Sequence, residues 1–78
     1  MKKIMEVLLK LGYICSFGYS EKSIRSVLKL EELDIYIHVE KKAKGYSVEV
    51  AEVMKGIARE KKVTLDGYKE VIEYIKKI

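Results

Sequence analysis

The feature that most constrains this chain is a pair of segments in which apolar and polar residues alternate, joined by a lysine-rich turn. Alternation with a period of two is typical of strands that bury one face. Its apolar members are Ile35, Ile37, Val39, Tyr46, Val48 and Val50. Residues 41–45 between the two segments contain three lysines and end on a glycine, a composition typical of a turn. The sequence therefore predicts a β-hairpin with a strongly basic tip.

Before this hairpin, apolar residues recur at intervals of three and four, the spacing of one face of an α-helix. This spacing predicts a helix over residues 1–11 that ends at Gly12. It also predicts a helix from Glu21 to Leu30, with Ser20 as its N-cap. Residues 13–19 fit either a short helix or a strand.

After the hairpin, the same spacing predicts two C-terminal helices. The first covers residues 51–62, and Thr64 caps the second. The apolar stripe of the second helix is Tyr68, Val71, Ile72, Ile75 and Ile78. The expected fold class is therefore α+β and helix-rich, with one β-hairpin and two C-terminal helices in a single domain over residues 1–78.

Composition narrows the classes of protein to which the chain can belong. In 78 residues there is room for one small core, and a single cysteine excludes a disulfide framework within one chain. The absence of asparagine and glutamine, with abundant lysine and glutamate, is typical of thermophiles. No apolar run approaches the roughly 20 residues that span a bilayer, and no export signal is evident. We therefore expect a cytoplasmic protein without a membrane partner.

Catalytic and metal-binding residues are sparse. Cys15 and His38 are the only residues that suggest a thiolate with its base, and both residue types more often pack structurally. One histidine and one cysteine are too few for a zinc site within one chain, and the glycines form no phosphate-binding loop. We therefore expect no enzyme activity, no metal and no cofactor.

A longer segment resembles the turn and recognition helix of winged helix-turn-helix proteins. In that family a glycine, an apolar residue and a serine form the turn, and apolar residues follow four and seven positions after the serine. The matching residues are Gly18, Tyr19, Ser20, Ile24 and Val27. The basic hairpin stands where the family has its wing, so the resemblance covers about Gly12 to Val50. It implies a DNA-binding protein, in keeping with a transcriptional regulator.

The residues expected to face DNA follow from the predicted helix and hairpin tip. Arginine and lysine contact guanine edges or phosphates, and serine can contact either. The candidate nucleic-acid-binding residues are Lys22, Ser23, Arg25, Ser26 and Lys29 on the helix and Lys41, Lys42 and Lys44 at the tip. The expected partner is double-stranded DNA. The alternative left open is a protein–protein interaction module of α+β fold that binds no nucleic acid.

The C-terminal apolar stripe suggests a second partner. If one chain left this stripe uncovered, it would expose an apolar patch that soluble monomers tend to avoid. We therefore expect a homodimer through the C-terminal helices, which would match a palindromic site. The alternative is that the last helix completes the core of a monomer.

Overall fold

The computed structural model describes residues 1–17 and 22–78, which form a five-stranded antiparallel sheet flanked by an N-terminal and a C-terminal helix. The elements in chain order are α1 (Lys2–Lys10), β1 (Ile14–Phe17), β2 (Ser23–Lys29), β3 (Asp34–Lys41), β4 (Tyr46–Met54), β5 (Ile57–Leu65) and α2 (Tyr68–Lys76). The strands lie in the order β1-β2-β3-β4-β5, so each pairs with its neighbour along the chain. The predicted hairpin is present as β3 and β4, at the centre of a larger sheet.

The expected helix-rich fold with one hairpin is wrong. The predicted recognition helix from Glu21 to Leu30 contains β2, and the predicted helix over residues 51–62 is the end of β4 and most of β5. The resemblance to winged helix-turn-helix proteins is therefore also wrong, because residues 23–29, where the recognition helix was expected, form a strand. The proposed turn residues Gly18, Tyr19 and Ser20, with Ser20 as N-cap, lie outside the described residues.

The residues of β2 explain why this segment forms a strand. Ile24 and Ser26 are buried, whereas Arg25 between them is exposed, which is the alternation of a strand. Val27 is β-branched and lies on the same side as Arg25. Pairing with β1 on one side and with β3 on the other satisfies the backbone hydrogen bonds of this segment.

The two helices lie on one side of the sheet, which we call the covered face. Ile4 and Leu8 from α1 and Val71 and Ile75 from α2 are buried there. The strand residues of this core are Ile24, Ile35, Ile37, Val39, Val48 and Val50. The opposite side of the sheet, which we call the open face, carries no helix in the described part of the chain.

The apolar stripe of the last helix is used within one chain. Val71 and Ile75 are fully buried, and α2 packs against α1, β4 and β5. Tyr68 and Ile72 are partly buried against the same core. Four of the five stripe residues therefore pack within one chain, whereas Ile78 is 42% exposed. The argument for a homodimer through this helix thereby loses its basis.

Candidate functional site

The structure distributes the eight predicted nucleic-acid-binding residues over three places. Four lysines lie at the end of the sheet formed by the β3–β4 turn, namely Lys22, Lys41, Lys42 and Lys44. Ser23, Arg25 and Lys29 belong to β2 and point to the open face. Ser26 points to the covered face, so the predicted group does not form one surface.

Ser26 is unavailable to an external ligand. Its side chain is buried, with 5% of its surface exposed, and its hydroxyl donates a hydrogen bond of 2.9 Å to the backbone oxygen of Ile37. A buried hydroxyl needs such a partner, because burying it without one is costly. Ser26 therefore stabilises the contact between β2 and β3.

Backbone hydrogen bonds bring the four terminal lysines together. The amide of Lys41 donates to the carbonyl oxygen of Lys22 over 2.7 Å, which ties the start of β2 to the end of β3. The amide of Lys42 donates to the carbonyl oxygen of Gly45 over 2.9 Å and closes the turn. Gly45 has φ +84°, a left-handed conformation that favours glycine. Backbone hydrogen bonds and a left-handed glycine thus close the tip.

The sequence prediction missed further lysines at this end. Lys2 and Lys3, at the start of α1, line a shallow cleft of about 250 Å³ together with Tyr46 and Tyr68. Tyr46 is the strand partner of Lys41, and the ammonium of Lys3 lies 5.4 Å from the centre of the Tyr68 ring. We call the whole group the lysine pole: Lys2, Lys3, Lys22, Lys41, Lys42, Lys44 and Lys69. No local pattern could have found Lys2, Lys3 or Lys69, because only the tertiary fold brings them there.

Acidic residues offset the charge of the lysine pole only in part. Among the described residues, Glu40, Asp66 and Glu70 are the acidic residues of this end, against seven lysines. Lys42 forms an ion pair and hydrogen bond with Glu40, which lowers the pKa of the Glu40 carboxyl from its usual value. The net charge of the whole protein is +4. With seven lysines against three acidic residues, the described residues of this end carry an excess of positive charge.

The open face of the sheet is a second candidate surface. It forms a shallow groove of about 620 Å³ across β2 to β5. Strand pairing defines two neighbouring rows of side chains on it. The polar row is Ser16, Arg25, His38, Glu49 and Lys62. The apolar row is Ile14, Val27, Tyr36 and Ala51, and it ends at Glu60 on β5.

The candidate thiolate and base do not meet. Cys15 pairs with Ser26 and points to the covered face, whereas His38 belongs to the polar row of the open face. Burial raises the pKa of the Cys15 thiol, which disfavours the reactive thiolate. The sheet therefore separates the two side chains, and they cannot act as a nucleophile and its base.

The described residues give two further findings. Residues 1–17 and 22–78 contain no group of three or more histidine, cysteine or acidic side chains placed to hold a metal ion. Neither α1 nor α2 is long and apolar enough to span a bilayer, and these are the helices found in the described ranges.

Comparison with known proteins adds no relative to these observations. No family model, curated protein or solved structure matches this chain.

Proposed function

We propose that this protein binds the phosphate backbone of nucleic acid through the lysine pole, with double-stranded DNA as the expected partner. The observation that supports the proposal is the convergence of lysines from α1, the start of β2, the β3–β4 turn and α2 at one end of the sheet. Lysines that neutralise phosphates release condensed counterions, and this term supplies most non-specific binding.

The form of binding differs from that expected of a winged helix. Residues 23–29, expected to lie in a recognition helix, form a strand, so they do not place side chains against base edges in the major groove as such a helix would. Phosphate contacts fix position but carry no direct sequence information. We therefore propose binding without strong sequence preference, and a role in transcription regulation would need specificity from another source.

The hairpin tip gives the first testable prediction. Replacing Lys41, Lys42 and Lys44 together by alanine is expected to weaken binding to a random DNA duplex and to make it less sensitive to salt. Each lost phosphate contact lowers the slope of log affinity against log salt by about 0.9 on B-DNA, so three contacts would lower it by about 2.7. Fluorescence polarisation titrations at several salt concentrations measure both quantities.

A charge-matched control lies at the other end of the molecule. Lys55 is in the turn between β4 and β5, and Lys76 and Lys77 end α2, so replacing these three by alanine removes the same charge away from the lysine pole. This control is expected to keep most of the affinity. Equal losses in the two triple variants would show that only net charge matters and would refute the lysine pole as the site.

A variant that binds DNA more tightly cannot owe its effect to misfolding, so it tests the lysine–phosphate contact directly. Glu40 engages Lys42 in an ion pair, and Glu40→Gln removes the competing carboxylate while keeping a similar shape. We expect this variant to bind DNA more tightly than the unmodified protein in the same polarisation assay. Unchanged or weaker binding by a folded Glu40→Gln protein would argue against contact between Lys42 and phosphate.

A second candidate function, association with another protein, is favoured by a different observation. The apolar row on the open face is not covered by any element of the described chain. Salt titration with DNA distinguishes the two functions, because an interaction module without nucleic-acid binding shows no such dependence.

A further inference from the structure

We infer that two copies of this chain associate through their open faces, related by a two-fold axis that runs parallel to β3. The inference rests on the side chains of the open face and does not depend on nucleic-acid binding. It replaces the dimer expected through the C-terminal helix, where Val71 and Ile75 are buried within one chain and Tyr68 and Ile72 are partly buried.

The apolar row is the part of the open face that favours burial in an interface. Ile14 is 72% exposed and Tyr36 is 42% exposed, and each lies directly beside Val27 in the sheet. Val53 and Ala58 form a neighbouring apolar pair on the same face. Contiguous exposed apolar groups of this kind mark interaction surfaces. Two antiparallel sheets bury such faces by packing about 10 Å apart with their strands within about 30° of each other.

Charge complementarity identifies a second copy as the occupant. An axis along the central strand β3 places β2 over the partner's β4. Arg25 and Glu49 lie in the same row, one on β2 and the other on β4, so each Arg25 meets the partner's Glu49. Arg25 forms no ion pair among residues 1–17 and 22–78, and Glu49 has only the exposed Lys62 at 3.5 Å. Both cross-pairs therefore form without breaking a buried contact.

The same axis matches the centre of the apolar row with itself and places Ile14, at one end of the row, against the partner's Glu60 at the other end. Tyr36 on β3 lies against the partner's Tyr36, and Val27 lies against the partner's Ala51. Large and small side chains thus face each other on either side of an aromatic pair, an arrangement that allows the two faces to interdigitate. A partner of different sequence would need its own apolar row and its own oppositely charged residues at the matching positions, whereas a second copy of this chain already has both.

The available area and the sheet edges agree with this geometry. Five strands spaced about 4.8 Å apart and about seven residues long present a face that would bury roughly 1,000 Å² in total, near the lower limit of specific interfaces. Edge-to-edge pairing is disfavoured, since β1 has four residues and β5 carries the charged run Arg59, Glu60, Lys61 and Lys62. Face-to-face packing avoids both edges.

The orientation of the axis has a consequence for the lysine pole. A two-fold axis parallel to the strands keeps the ends of the two sheets together. Both lysine poles therefore lie on the same side of the dimer, which doubles the positive surface presented to one polyanion.

The experiment measures self-association of the full chain without nucleic acid, by sedimentation velocity from low micromolar to submillimolar concentration. The variants are Arg25→Glu, Glu49→Arg and the double variant with both changes. We expect each single change to weaken the dimer roughly tenfold or more. The double variant restores the opposite charges across the axis, so its affinity should return to near that of the unmodified protein.

An additional pair of variants locates the interface. Tyr36→Asp places a charge at the centre of the apolar row and should abolish the dimer, whereas Ile78→Asp changes an exposed apolar residue on the other side of the molecule and should leave it intact. Circular dichroism verifies that each variant is folded. A monomer at every concentration, a dimer insensitive to Arg25→Glu, a double variant that is not rescued, or a dimer lost only with Ile78→Asp would each overturn the inference.

Discussion

Replacing Ile75 by alanine is expected to lower the free energy of unfolding by about 3 kcal/mol, within the usual range for large-to-small changes in a core. Ile75 is 1% exposed and packs in the core formed by the two helices and the covered face. A domain of 78 residues has a total stability of only about 4–12 kcal/mol. The variant should therefore melt at a clearly lower temperature, which urea or thermal unfolding followed by circular dichroism will measure.

Ile78 provides the matched control in the same segment. It is 42% exposed and follows the end of α2, so Ile78→Ala removes little buried surface and should cost less than about 1 kcal/mol. If the two alanine variants lost equal stability, α2 would not pack in the monomer as described. If the loss of stability depended on protein concentration, α2 would instead contribute to a dimer interface.

The parts of the fold that could be predicted from the sequence have one dominant periodicity. In α1 and α2 the apolar residues follow only the helical spacing, with charged residues on the other side. In β3 and β4 the alternation is equally clear, and the glycine-ended turn between them fixes the hairpin. Local residues are sufficient to predict these four elements because each buries a single face.

The segments predicted wrongly are those in which two periodicities fit equally well. Ile24, Val27 and Leu28 have helical spacing, yet Ile24 and Ser26 also alternate with Arg25 as in a strand. The strand forms because β3 offers a partner along its whole length. In β5 most side chains are exposed, so its lysines and glutamate carry no burial signal, and pairing with β4 alone defines it.

The candidate site could be predicted only in part, for the same reason. The concentration of lysines in the hairpin turn is a local feature, so the sequence alone predicts it. The proximity of Lys2 and Lys3 depends on how α1 packs on the sheet, which local sequence does not encode. The polar row and the apolar row likewise join residues from five strands, so they become visible only once strand order and register are known.

The second large effect is expected at Gly45, in the turn that carries the lysine tip. With φ at +84°, alanine here adopts a conformation that L-residues disfavour by about 1–2 kcal/mol. A Cβ atom would also overlap the backbone oxygen of Leu65 and lie 3.3 Å from its carbonyl carbon. Backbone atoms cannot rotate away, so overpacking should add about 1–3 kcal/mol. We expect Gly45→Ala to lower the free energy of unfolding by about 3 kcal/mol in urea titrations, combining both effects.

A variant at Gly56 distinguishes the conformational strain from the steric overlap that are combined at Gly45. The φ of Gly56, +80°, is nearly the same, but an added Cβ atom has no neighbour within 4 Å. Gly56→Ala should therefore cost only the conformational strain of about 1–2 kcal/mol. The difference between the two variants measures the contact of the β3–β4 turn with the end of β5, which holds the hairpin tip near α2. Equal losses would mean that this contact is absent and that the tip is not fixed within the lysine pole.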